Sequence, residues 1–130
     1  MKKDQMMYDA ASFRLDDHVA VITGAGIGRA IAETFADAGA AMMVSNAGGG
    51  GPKPFDMPMQ DFRRAFDLNP FSLFRLAQMA APEMEKAGCG AMLAITSMAG
   101  ENNNKRIAPY GSSKATTNHL IRNFARFFAR

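Results

Sequence analysis

The chain has 130 residues, 48% hydrophobic and 21% charged, and this composition is typical of a single globular domain over residues 1–130. Its net charge of +3 comes from basic residues spread along the chain, so we expect a solvated surface and no nucleic-acid partner. A lone cysteine excludes an internal disulfide, and two isolated histidines give no reason to expect a metal. No apolar run is long enough to span a membrane and no signal peptide is recognisable, so we expect a cytoplasmic protein without a membrane partner.

The N-terminal part of the chain predicts a strand, a glycine turn and a helix. Residues 1–14 are polar and show no period, and we expect a loose arm there. The β-branched run from His18 to Thr23 predicts a strand, the turn Gly24-Ala25-Gly26-Ile27-Gly28 follows, and helical spacing continues from Arg29 to Ala38. Glycines let a backbone approach a pyrophosphate, and a helix N-terminus offers free N–H groups. This order favours a phosphate site over a plain glycine-rich turn.

The middle of the chain predicts a second strand, a glycine loop and a long helix. Residues 40–45 predict the strand, and the loop after it contains four consecutive glycines, which form either a linker or a backbone-lined ligand wall. Helical spacing covers residues 56–86, with a kink expected at Asn69-Pro70, because proline removes a donor and clashes one turn back. This helix must be deeply buried or half covered by a partner chain. Its apolar positions are Phe62, Phe66, Phe71, Phe74, Leu76, Ala77, Ala80, Ala81 and Met84.

The last part of the chain predicts a third strand over residues 91–96 and a helix from Tyr110 to the end. The apolar face of that helix consists of Leu120, Ile121, Phe124, Phe127 and Phe128. Alternating strands and helices are typical of the α/β class. We therefore expect a reduced Rossmann-like fold of two or three layers, with a short parallel sheet of about three strands and long apolar helices.

A hydroxyl, a phenol and an ammonium can converge after the third strand. Ser97 follows that strand, and Tyr110 and Lys114 are four residues apart at the start of a helix, which places both on one face. A nearby ammonium stabilises a phenolate and lowers the tyrosine pKa, which is normally about 10. Such a phenol can exchange a proton with an alcohol oxygen. Taken alone, Tyr-x-x-x-Lys is more often a surface tyrosine and a solvated lysine, so the other motifs must decide.

Taken together, the motifs resemble those of the short-chain dehydrogenase/reductase family. Thr23-Gly24-Ala25-Gly26-Ile27-Gly28 resembles the cofactor loop of that family, and Asn46-Ala47-Gly48 resembles the segment that closes its cofactor pocket. The run from Tyr110 to Lys114 resembles its catalytic motif, with Ser97 at the usual distance before it. Asn69 falls where the family has a fourth catalytic residue.

The resemblance implies an NAD(P)-dependent oxidoreductase that transfers a hydride between NAD or NADP and a secondary alcohol or ketone. Tyr110 would be the general acid/base, and Lys114 would lower its pKa and hold the nicotinamide ribose. Ser97 would orient the substrate oxygen, and Asn69 would hold a water of the proton relay through its backbone. The implied cofactor-binding residues are Thr23, Gly24, Gly26, Ile27, Gly28, Asn46, Ala47, Gly48, Tyr110 and Lys114.

Three stretches narrow the implied substrate. Residues 46–64, 81–86 and 95–98 are very similar to members of the family that oxidise a bile-acid hydroxyl, so the resemblance implies a hydroxysteroid as the small-molecule substrate. It also implies a homo-oligomer through the long apolar helices.

The chain departs from the family pattern at two points, and these differences leave other functions open. Its glycines are spaced Gly24-x-Gly26-x-Gly28 rather than Gly-x-x-x-Gly-x-Gly, and its second strand leads straight into Asn46, where the family has two helices and two strands between. In the family, the second strand and the strand that leads into the Asn-Ala-Gly segment lie on opposite sides of the first strand. The single strand of this chain cannot take both places, so we expect a rearranged sheet, a swapped dimer or an incomplete site. We therefore expect low activity at best. The alternatives are an impaired or inactive derivative that is only a structural or oligomerising domain and, more weakly, a basic nucleic-acid binder.

Overall fold

The computed structural model describes residues 21–23 and 43–128. Its strands β1 (Val21–Thr23), β2 (Met43–Ser45) and β3 (Met92–Ala94) form a parallel sheet in the order β1-β2-β3. The predicted residues 18–20 and 40–42 of the first two strands lie outside the described residues. β3 is shorter than the predicted range 91–96, although the amide of Met43 donates to the carbonyl of Ala91 and the amide of Ile95 to that of Ser45, which extends the pairing on both sides.

The sequence left open whether the second strand lies between the first and the third, and the structure places it there. β2 lies between β1 and β3 and is buried along its whole length, as expected for a central parallel strand. One chain completes these three strands, so strand exchange with a second copy is not needed to form the sheet. The loop that starts at Asn46 consequently leaves the sheet between the ends of its two neighbours.

The long apolar stretch forms two helices, α1 (Met59–Phe66) and α2 (Ser72–Ala87), joined by the π-helical segment Asp67–Phe71. The expected kink is confirmed in this form, because Pro70 has no N–H for the preceding turn. The side-chain amide of Asn69 donates instead to the carbonyl of Ala65, at 2.7 Å.

The bounds of these helices follow from their flanking residues. α1 starts at Met59 rather than at the predicted residue 56, because Pro58 disfavours helical backbone in the residue before it. α2 ends at Ala87, and the next residue, Gly88, has a φ of 72°, the left-handed conformation that closes helices.

The last helix, α3 (Ala108–Phe128), follows a short 3₁₀ turn, Met98–Gly100. It begins at Ala108 rather than at the predicted Tyr110, and Pro109 lies in its first turn, where its missing N–H costs nothing. None of the described helices is long and apolar enough to cross a membrane.

The core lies where α2 and α3 pack against the sheet. Its buried centre consists of Met43, Leu73, Ala77 and Phe124. Half-buried apolar side chains surround it: Leu76, Ala80, Met84, Met92, Ala94, Leu120 and Ile121.

The predicted apolar faces are only partly buried. On α3, the predicted apolar face is buried or half-buried at Leu120, Ile121 and Phe124, whereas Phe127 and Phe128 are 83% and 43% exposed. A helix of 21 residues is about 30 Å long, whereas a strand of 3 residues covers about 10 Å, so the sheet cannot cover the end of α3.

Candidate functional site

The carboxyl edge of the sheet gathers the segments that carry the predicted motifs. Thr23 is in register with Ser45, and Ser45 with Ala94, so the chain leaves all three strands at one edge. In parallel α/β sheets this edge is where ligands bind. The loop after β2 and the segment that leads to Ser97 both start here. Gly24, Gly26, Ile27 and Gly28 lie outside the described residues.

Tyr110 and Lys114 share one face of α3, as predicted. The Nζ atom of Lys114 lies 5.8 Å from the centroid of the Tyr110 ring, within the range of cation–π contacts. Lys114 is only 4% exposed, and its Nζ donates a hydrogen bond of 2.9 Å to the carbonyl of Ile95, just after β3. Burial lowers the pKa of Lys114 below its usual 10.5, because the charged form loses solvation.

The glycine loop after β2 contacts these side chains directly. A Cβ on Gly48 would lie 2.6 Å from Asn69 Oδ1 and 2.8 Å from Lys114 Nζ. A Cβ on Gly50 would lie 2.7 Å from Tyr110 Cβ. These distances are too short for real Cβ atoms, so this approach requires glycine. Of the two alternatives for the loop, the contacts favour a backbone wall over a linker.

Asn69 is buried where the π-helical segment meets α3. It is 2% exposed, and its Nδ2 donates to Ala65 O at 2.7 Å, Ser113 Oγ at 3.1 Å and Gly49 O at 3.2 Å. Carbonyl oxygens among these acceptors fix the orientation of the amide. Its Oδ1 is buried and has no hydrogen-bond partner among the described residues.

The two oxygens of Asn69 differ in what they can still bind. Its backbone oxygen accepts from the amide of Ser72 and, at 3.1 Å, from the hydroxyl of Ser72. Oδ1, in contrast, borders the same small volume beside Gly48 as Lys114 Nζ. The side-chain oxygen is therefore better placed to hold a water than the backbone oxygen that the resemblance implied.

Ser97 lies at the start of the 3₁₀ turn, close to α3. Its Oγ accepts from the amide of Ala99 at 3.1 Å, which leaves its O–H free to donate. The turn packs tightly on the helix, since a Cβ on Gly100 would lie 2.8 Å from the Ala115 amide nitrogen. Within the described residues, no hydrogen bond joins Ser97 to Tyr110.

Ser113 is a site residue that the motif analysis did not single out. It is fully buried, accepts from Asn69 and donates to the carbonyl of Tyr110 at 2.8 Å. It therefore links the π-helical segment to the helix that carries the phenol. Helical spacing offered a signal, because Ser113 shares a stripe with Thr117, Leu120 and Phe124.

Comparison with known proteins identifies relatives of the chain. Residues 41–130 match the sequence profile described as short chain dehydrogenase. The 7alpha-hydroxysteroid dehydrogenase of Escherichia coli (strain K12) is 43% identical over 174 residues, which cover 92% of this chain and 68% of that protein. A tropinone reductase homolog of Arabidopsis thaliana is 33% identical over 90 residues, covering 68% of this chain and 34% of that protein.

Solved structures agree with these matches. One described as 7 alpha-hydroxysteroid dehydrogenase complexed with NADH and 7-oxo glycochenodeoxycholic acid superposes with a TM-score of 0.85 at 42% identity, covering 92% of this chain and 69% of that one. The alignment with the Escherichia coli protein, at 174 residues, is longer than this chain of 130, so part of that protein has no counterpart here.

Proposed function

This chain belongs to the short chain dehydrogenase family, and from that membership we propose that it transfers a hydride between NAD or NADP and a hydroxysteroid. The 43% identity to a 7alpha-hydroxysteroid dehydrogenase supports a bile-acid hydroxyl as the reacting group. The observation that carries the proposal is the convergence of Asn69, Tyr110 and Lys114 on the glycine loop at the carboxyl edge of the sheet.

The residues at this edge fit a nicotinamide cofactor. Lys114 uses one N–H on Ile95 and keeps its others for ribose hydroxyls, with the phenol of Tyr110 beside them. Gly48, without a Cβ, lets Asn69 and Lys114 approach the loop, and Asn46 and Ala47 precede it in the same loop. Thr23 and the glycines from 24 to 28 would hold the pyrophosphate. When bound, the cofactor supplies or accepts the hydride, and the protein supplies position and charge.

Tyr110 would exchange the proton with the substrate oxygen. The charge of Lys114, 5.8 Å from the ring centroid, stabilises the phenolate that forms when Tyr110 gives up its proton. The free O–H of Ser97 would donate to the substrate oxygen and orient it. A water between Asn69 Oδ1 and Lys114 Nζ would connect the lysine to a proton supply, and the lowered pKa of Lys114 eases proton loss from its Nζ.

We also propose that the protein forms a homo-oligomer through its long helices. Phe71 and Met79 are 59% and 60% exposed. Phe74 is 45% exposed, and its ring centroid lies 6.0 Å from that of Phe124. Such large exposed apolar side chains on neighbouring helices are typical of an interface between chains. Sedimentation of the wild type and of Phe71→Asp tests this proposal, with Gln78→Asp as the control that adds the same charge. A wild-type monomer would refute it.

Titration with NADH and NADPH, followed by nicotinamide fluorescence, tests the proposed function. The chain contains no tryptophan, so the emission of the nicotinamide is not mixed with that of indole. Saturable binding is expected, followed by oxidation of a 7α-hydroxy bile acid. Tyr110→Phe should abolish that oxidation, whereas Tyr8→Phe, which changes the other tyrosine, should retain it.

The same experiment separates the alternatives. Binding without oxidation would support an impaired derivative that acts as a structural or oligomerising domain. The absence of saturable binding of either cofactor at millimolar concentration would refute the proposal.

A further inference from the structure

We propose that Gly50 is a positioning residue for Tyr110, held in place by the segment Gly48–Lys53, which we call the glycine clamp. The inference rests on the proposed function, because Tyr110 is the residue that would exchange a proton with the substrate. It adds to that function a residue outside the Asn46-Ala47-Gly48 motif.

The contact between Gly50 and Tyr110 lies at the base of the phenol ring. A Cβ on Gly50 would lie 2.7 Å from Tyr110 Cβ, 3.0 Å from Cδ2 and 3.1 Å from Cγ. The backbone of Gly50 therefore lies against Cβ and one edge of the Tyr110 ring, where it restricts rotation about χ1. Because side chains populate only a few staggered rotamers, blocking one direction selects the orientation of the phenol.

The glycine clamp is tied down on both sides of Gly50. On one side, the carbonyl of Gly49 accepts from Asn69 Nδ2 at 3.2 Å. On the other, the amide of Lys53 donates to the carbonyl of Arg106 at 2.7 Å, shortly before α3 begins. The side chain of Lys53 also pairs with Asp61 on α1, at 2.7 Å. Gly50 consequently cannot retreat without breaking contacts to α1, the π-helical segment or the start of the tyrosine helix.

The neighbouring glycines do not share this contact, and this provides a matched control. Within the part of the chain that the structure describes, a Cβ on Gly51 would meet nothing within 4 Å, and one on Gly49 would meet only Leu68 Cδ2, at an ordinary 3.4 Å. Among the described glycines, positive φ occurs only at Gly88, so alanine suits the backbone equally at positions 50 and 51. Gly50→Ala and Gly51→Ala therefore differ in what the added methyl group meets.

Nuclear magnetic resonance of the full chain tests the proposal without relying on activity. The chain has 2 tyrosines, so Tyr8→Phe leaves Tyr110 as the only phenol to observe. We expect an Overhauser contact between the α protons of Gly50 and the ring of Tyr110. In the Tyr8→Phe background, Gly50→Ala should shift the ring signals, whereas Gly51→Ala should leave them unchanged. Equal effects of the two variants, or no Overhauser contact, would overturn the proposal.

Enzyme kinetics provide a second test of the role of Gly50. Gly50→Ala should lower kcat on the order of a hundredfold, because a displacement of about 1 Å in a reacting group has an effect of that size. The pH at which kcat is half-maximal should move, and cofactor affinity should change far less than kcat. Gly51→Ala should retain the kinetics of the wild type. If the chain has no activity, the resonance experiment still decides the role of Gly50, so failure of the proposed function and failure of this inference are distinguishable.

A second pair of variants covers the case in which Gly50→Ala does not fold. Lys53→Met loosens the glycine clamp by removing its ion pair with Asp61 and introduces no clash. Lys86→Met removes a similar pair with Glu83, of 2.8 Å, on α2. A shift of the Tyr110 signals in Lys53→Met but not in Lys86→Met would support the clamp. Unchanged signals in both variants would overturn it.

Discussion

Replacing Asn69 by alanine should lower the free energy of unfolding by about 2–3 kcal/mol. Three acceptors, Ala65 O, Ser113 Oγ and Gly49 O, would lose their donor at a site that is 2% exposed. The two N–H groups of Nδ2 serve these acceptors. Each buried hydrogen bond contributes about 1 kcal/mol net, and the acceptors left without a donor add a further cost, so the loss is about 3 kcal/mol. Removing Oδ1, which is buried and has no partner among the described residues, offsets part of that loss. The upper end of the range is expected if a water satisfies Oδ1 in the wild type.

Urea unfolding followed by far-ultraviolet circular dichroism measures this difference by linear extrapolation. Ser72→Ala is the matched control, since its hydroxyl bonds to the carbonyls of Leu68 and Asn69 on the same turn but at the surface. We expect the control to lose about 0.5 kcal/mol or less. Equal losses in the two variants would show that the Asn69 network does not stabilise the junction between the π-helical segment and α3.

Three further predictions concern the core, the turn after Ser97 and Lys114. Leu73→Ala, at a position with no exposure, should cost about 3 kcal/mol in thermal or urea unfolding, whereas Met79→Ala, 60% exposed, should cost under about 1 kcal/mol. Gly100→Ala should lower the melting temperature more than Gly51→Ala, because its Cβ would lie 2.8 Å from the Ala115 amide nitrogen; equal melting temperatures would contradict this. Burial lowers the pKa of Lys114, so the unfolded chain binds its proton more tightly and the stability of the wild type relative to Lys114→Met should rise with pH up to 10.5. A flat or falling difference in alkaline urea titrations would contradict that sign.

The helices and strands were largely predictable because their signals are local. A run of apolar residues marks a buried strand, and Pro70 marks an interruption wherever the helix lies. The order of the strands was not predictable, because the local sequence pattern of β2 would be the same on either side of β1. Its place is decided by which strands hydrogen-bond to its two edges, and β3 lies far along the chain.

The candidate site likewise has features that the local sequence predicts and features that it does not. The face shared by Tyr110 and Lys114 follows from helix geometry alone. The contact of Asn69 with Ser113 joins residues 44 positions apart, and that of Gly50 with Tyr110 joins a loop to a helix. Neither spacing nor residue type predicts such contacts, because they depend on how α1, α2 and α3 pack. The exposure of Phe127 likewise depends on where the sheet ends, which the apolar period of α3 does not show.

The four consecutive glycines show how identical residues acquire different roles. Gly48 admits Asn69 Oδ1 and Lys114 Nζ, and Gly50 borders the Tyr110 ring. A Cβ added to Gly51, in contrast, would meet none of the described residues within 4 Å. The run therefore requires glycine at particular positions rather than throughout. The π-helical segment explains why these positions matter: Pro70 interrupts the helix at the turn from which Asn69 reaches Ala65, Gly49 and Ser113 at once. A break in one helix thus anchors the loop that lies against the phenol on another.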